Sequence, residues 1–133
     1  SQTHNAIQRR AYFMGNIGDE ILAHEDAHIQ SSEAGGPGAI SGVLIRGLPG
    51  ERGIFDAATL EDAIRPISRY SPPQTLVEVE QTANKGGGAC WTVDALNAVS
   101  AVARRHGMAV HMDGAVAGDS VAACPEFFAQ GLA

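Results

Sequence analysis

Two short stretches carry side chains whose types and spacing suit chemistry. In "AVHMDGA", Ala109 to Ala115, an apolar run stops on a carboxylate, Asp113, with glycine behind it. Asp-Gly after a strand commonly makes a turn; the alternative is that the carboxylate faces a ligand, because open parallel sheets gather ligands beyond the carboxyl ends of their strands. In "HEDAH", His24 to His28, the residues match HExxH. On a helix that spacing puts two imidazoles on one face for zinc and a glutamate beside the metal-bound water, which would make His24, Glu25 and His28 the centre of a zinc hydrolase. Yet "GDEILAHEDAHI" reads as a glycine turn, a buried strand and an acidic corner rather than continuous helix, and no GxxH follows to supply a third ligand. The competing reading makes His24 a strand-end histidine with a backbone partner. Lys85, in "KGGG", lacks the GxxxxGK[ST] frame of a phosphate loop and reads as a solvated loop charge.

Positioning these residues needs regular elements. Thr92 is a suitable cap for a helix in which Val93, Leu96, Val99 and Ala103 recur at helical spacing. "RRHG" closes it, with basic residues at the negative end of the helix dipole and Gly107 as its left-handed stop. "MAVHM" follows as a strand. Upstream the same unit recurs in outline: "DAATLEDAIRP" offers Thr59 and Asp62 as a capping box and Pro66 as a terminator, then "QTLVEVE", Gln74 to Glu80, is a strand. "DEILAH" and "SGVLIRG" are further strands, and "NAIQRRAYFM" is a helix with Ile7, Ala11 and Met14 on one face. Alternating strands and helices predict an α/β layer with a mainly parallel sheet, with Glu80 and Asp113 at its ligand-facing edge.

The composition narrows the function. At 133 residues the chain is the size of one domain, and with no initiator Met and an ending at "FFAQGLA" it reads as a fragment. Nine basic against fifteen acidic residues give a net charge of −6, which repels phosphate backbones and anionic membranes, so neither nucleic acid nor membrane is an expected partner. No apolar run approaches the roughly 20 residues a membrane span requires. Cys90 and Cys124 do not form a CxxC pair, and a reducing cytoplasm is the expected location, with a disulfide between them left open.

Three blocks, "GDEILAHEDAHIQSSEAGG", "VEVEQTANKGGG" and "LNAVSAVARRHGMAVHMDGA", together resemble, in order and spacing, the threonine aldolases, which are fold type I pyridoxal phosphate enzymes of the beta-eliminating lyase group. The resemblance runs through almost the whole chain to Ala115. It implies a three-layer α/β fold with a mainly parallel sheet, residues 1–133 being one partial domain, the central part of the cofactor-binding large domain. It also implies a homodimer or homotetramer acting on a small amino-acid substrate: an aldehyde-lyase reaction that cleaves L-threonine or L-allo-threonine to glycine and acetaldehyde with pyridoxal 5′-phosphate. By the same resemblance Asp113 faces the pyridine nitrogen of the cofactor. A carboxylate at about 4 Å contributes roughly 4 kcal/mol at intermediate dielectric, or about three pKa units, enough to hold that nitrogen protonated. His28 matches the histidine that stacks on the ring, and Glu33 an acidic residue near the substrate that handles protons through water. "SQTHN" resembles the family's phosphate-binding turn through Ser1 and Thr3, with Gln2 in place of its glycine.

Three positions depart from the family pattern. The lysine that binds the cofactor covalently lies beyond the "DGA" block in the family, whereas the only lysine here, Lys85, precedes it. Ala83 stands where a histidine assists deprotonation of the threonine hydroxyl, and Val116 where an arginine grips the substrate carboxylate. These residues alone are therefore not expected to turn over substrate. A second reading follows from the same departures: a non-catalytic remnant or oligomerisation module that kept the sheet.

Overall fold

Central to the computed structural model is β1, Glu20–His24, buried along its whole length, as its near-continuous apolar sequence requires of a strand covered on both faces. The structure describes residues 16–32, 34–83, 85–114 and 124. After β1 come a one-turn helix α1 (His28–Ser31), a π-helical turn (Pro37–Ser41) and strand β2 (Leu44–Leu48). A 3-10 turn (Glu51–Gly53), helix α2 (Ala57–Ala63), strand β3 (Gln74–Glu80), helix α3 (Val93–Arg105) and strand β4 (Ala109–Asp113) complete the order. The four strands are all parallel and lie in the order β2-β1-β3-β4.

Strand alternation divides the core. Leu22, Leu48, Val77 and Val79 point to one face, where α2 and α3 cover them with Leu60, Leu96 and Val99, and Phe55 meets Trp91 edge to face at 5.0 Å. The opposite face carries Ile21, Val43 and Leu76 in one cluster, and Ala23 packed with Ala27 and Ile29 of the α1 corner in another. Among the described residues no helix is long and apolar enough to cross a membrane.

The strands fall on the expected apolar runs, except that β2 starts at Leu44 rather than Ser41, which closes the π-helical turn, and α3 runs from the Thr92 cap, whose side chain accepts the Ala95 N–H at 3.1 Å, to Gly107 at φ 70°. Helix α2 corrects the capping box at Thr59: the cap is Asp56, three residues earlier, whose Oδ1 accepts the Thr59 N–H at 2.8 Å. This helix ends at Ala63 rather than against Pro66, because the residue before a proline is driven out of the helical region and the chain has to turn toward β3. Arg65 and Gln74 hold that connection by bonding the Glu20 carboxylate, each at 2.8 Å. The helix expected over "NAIQRRAYFM" lies outside the described residues. Cys90 and Cys124, whose pairing was left open, are joined in a disulfide with Cα atoms 6.0 Å apart.

Candidate functional site

The chain leaves β1 toward β2 on one side and returns to β3 on the other, so the carboxyl ends of β1 and β3 border the switch point at which open α/β sheets bind ligands. His28, half-buried, opens α1 at this crevice, and its backbone N–H donates to Glu80 Oε2 at 3.0 Å. Glu80 ends β3 level with Asp113, the last residue of β4. Asp113 is 4% exposed, and its carbonyl accepts the Gln81 N–H at 2.9 Å, which binds the start of the next loop to this corner. His28, Glu80 and Asp113 therefore form one row across the strand ends.

Behind that row stands a second pair that sequence reasoning missed. Glu78 pairs in register with His111, two residues back from Glu80 and Asp113, so all four side chains share the face opposite α2 and α3. Glu78 is 2% exposed, and its Oε2 lies 4.0 Å from His111 Nδ1. The signal was present as the period-two repeats Glu78/Glu80 in "VEVE" and His111/Asp113 in "HMD".

The zinc reading of "HEDAH" fails on geometry. His24 ends a strand, Glu25 to Ala27 turn, and only His28 is helical, so the two imidazoles share no helix face. His24 is also fully engaged: Nδ1 accepts the Asp26 N–H at 3.0 Å, which leaves Nε2 as the protonated nitrogen donating to the Gly50 carbonyl at 2.8 Å. It is the strand-end histidine with a backbone partner. Among the described residues no three His, Cys, Asp or Glu side chains cluster to hold a metal ion.

The loops after β2 and β3 pack together above the sheet. A Cβ on Gly53 would come within 2.5 Å of the Ala83 Cβ, and one on Gly86 would overlap the Arg52 carbonyl; Arg52 itself adopts φ 55°, and its Nε donates to the Gly86 carbonyl at 3.2 Å. Ala83 is thus buried in backbone packing, and Lys85 is exposed on the loop surface. Ser1, Gln2, Thr3, Glu33 and Val116 lie outside the described residues.

Comparison with known proteins bears on the family and the fold. The beta-eliminating lyase family model matches residues 5–126. The chain is 35% identical over 101 residues to low-specificity L-threonine aldolase 1 of Arabidopsis thaliana, covering 74% of this chain and 28% of that protein. The solved threonine aldolase of Leishmania major superposes with a TM-score of 0.79 at 22% identity, over 90% of this chain and 34% of that one. N-succinyldiaminopimelate aminotransferase of Mycobacterium tuberculosis does so with a TM-score of 0.63 at 21% identity, over 83% and 27%. The fold is that of the fold type I pyridoxal phosphate enzymes, matched over part of their chains. A family match over nearly the whole sequence, carried on a parallel sheet with its acidic residues at the strand ends, leaves one conclusion: the chain belongs to the beta-eliminating lyase family, whose cofactor is pyridoxal phosphate.

Proposed function

We propose that these residues form the ring-binding part of a threonine aldolase-like lyase, which cleaves L-threonine or L-allo-threonine to glycine and acetaldehyde with pyridoxal 5′-phosphate. One observation carries the reading: a buried carboxylate, Asp113, ends β4 level with Glu80, and Glu80 is tied to His28 across the switch point. A buried carboxyl group at one strand end and a half-buried histidine across the switch point suit the two demands of a protonated pyridine ring, a counter-charge at its nitrogen and a flat surface against its face. Bound there, pyridoxal phosphate supplies an electron sink for the carbanion left when the Cα–Cβ bond breaks.

Each residue then has a defined task. Asp113 would hold the proton on the ring nitrogen through its charge, His28 would lie against the ring, and Glu80 fixes the corner that carries His28 by accepting its N–H. Ser1, Gln2 and Thr3 would receive the phosphate and Glu33 would relay a proton through water. The assembly is a homodimer or homotetramer in this reading, supported by the resemblance alone; the Cys90–Cys124 disulfide speaks against the reducing cytoplasm expected from cysteine usage. The chain spans 28% of the length of the Arabidopsis enzyme, and its only lysine is exposed Lys85, so turnover is assigned to a protein that supplies a lysine at the ring.

Titration of the chain with pyridoxal 5′-phosphate, followed by absorbance, tests the reading. Saturable binding is expected, weakened about ten- to a hundredfold by Asp113→Asn through loss of a charge-assisted bond, with no acetaldehyde released from L-threonine. Equal binding by the variant would overturn it. Ala83 and Val116 favour a second reading, a non-catalytic remnant or oligomerisation module of the same fold, for which no cofactor binding is expected.

A further inference from the structure

We propose that the amino end of the sheet holds a second binding site, a pocket for a small organic carboxylate with an apolar body. One wall is the connection from α2 to β3, residues 64–74, and the other is the end of α3 with the turn that follows it. Gln74 opens β3 and Met108 precedes β4, so the pocket lies at the opposite end of these strands from Glu80 and Asp113. It stands or falls separately from the cofactor reading.

A cavity of about 420 Å³ opens there, within the range of clefts that take small molecules. Its connecting wall is held in place. Pro66, Pro72 and Pro73 fix their own φ, the Arg65 N–H donates to Gln74 Oε1 at 2.9 Å, and Arg65 Nη2 reaches the Pro72 carbonyl at 3.4 Å. Across the cavity, the Met108 N–H donates to the Ala103 carbonyl at 2.9 Å, which fastens the turn out of α3. Buried Met108 and half-buried Ile64 and Pro72 make the lining apolar. Among the described residues on that lining, Arg65 and Arg105 carry charge and no carboxylate joins them, so an anion is favoured over a cation. Each guanidinium gives one nitrogen to a carboxylate outside the lining, Arg65 Nη2 to Glu20 at 2.8 Å and Arg105 Nη2 to Glu61 at 3.2 Å. His106, also on the lining, shares Glu61 with Arg105, its Nε2 3.0 Å from Oε1. Nε and Nη1 of Arg105 keep their N–H groups for a ligand. With the guanidinium charges already balanced, affinity has to come from those N–H groups meeting one carboxylate and from burial of an apolar body against Met108 and Ile64. Inorganic phosphate offers no such body.

Titration of the ¹⁵N-labelled 133-residue chain, followed by its amide NMR spectrum, decides the matter. The probe 3-phenylpropionate is expected to give saturable shifts centred on residues 64–74 and 105–108, with a Kd of about 1 mM. Its neutral counterpart of the same shape, 3-phenylpropionamide, should bind about tenfold more weakly, and inorganic phosphate should not saturate. Arg105→Gln, at an exposed position, is expected to lower the affinity for the carboxylate about tenfold and to leave that for the amide unchanged. Ser71→Phe, which fills the cavity, should abolish binding of both while the remaining signals stay those of the folded chain. Absence of saturable shifts, shifts centred on the strand ends at Glu80 and Asp113, saturation by phosphate, or an amide that binds as tightly as the acid would each overturn the proposal. So would carboxylate binding that withstands either variant. Should Ser71→Phe fail to fold, the comparison of acid and amide on Arg105→Gln decides by itself.

Discussion

His24 and His28, four residues apart, have different work because one closes a strand and the other opens a helix. Both ring nitrogens of His24 are engaged by backbone groups, so it fastens the β1 corner to the loop at Gly50. His24→Ala removes both bonds and empties the space of a buried ring, an expected loss of about 1–3 kcal/mol in urea unfolding. Added zinc should leave that stability unchanged; zinc-dependent stabilisation lost with the variant would restore the metal reading. At this scale part of the site is legible in the sequence. Asp113 and Glu80 stand at the ends of apolar runs, and a parallel sheet has to bring such ends together. The His28 to Glu80 bond joins residues 52 apart, a contact that no local spacing marks. The Glu78–His111 pair is written only as alternation, and its depth depends on what covers that face of the sheet.

At the scale of elements, strand bounds follow from alternation and α3 from a cap, an apolar stripe and a glycine stop, because each signal is local and repeated. The short elements carry no such redundancy. The four residues of α1 and the five of the π-helical turn are too few to show a period, and α1 is placed by the packing of Ile29 with Ala23 and Ile45. Helix α2 shows two caps competing for one start: Asp56 wins over Thr59 by accepting the Thr59 N–H itself. That bond holds the Asp56 carboxyl below its ordinary value of 3.8. With the folded-state pKa lowered, the contribution is fully present above the unfolded value and is lost as pH falls through the folded one. Urea midpoints of the chain and of Asp56→Ala should therefore differ at pH 6 and converge on acidification below pH 3.8. A difference that persists unchanged into that acid range would show that the cap does not act through its charge.

For the molecule as a whole, the loop leaving β3 is anchored at two points. The Cys90–Cys124 disulfide joins it to a residue 34 positions further on, and its removal is expected to lower stability by roughly 3–4 kcal/mol through the freedom returned to the unfolded chain. Comparing thermal unfolding with and without dithiothreitol checks this; an unchanged transition after full reduction would contradict it. The loop after β3 is seated separately by Gly86 on Arg52, a contact between residues 34 apart that the run "KGGG" signals only as tight backbone. The proposed ring site turns on the charge at the end of β4. The most direct test is the ¹⁵N NMR signal of ring-labelled pyridoxal 5′-phosphate bound to the chain at pH 7.5. A protonated ring nitrogen in the unmodified chain that loses its proton in Asp113→Asn is the predicted result, and a nitrogen in the same protonation state in both proteins would contradict the central claim.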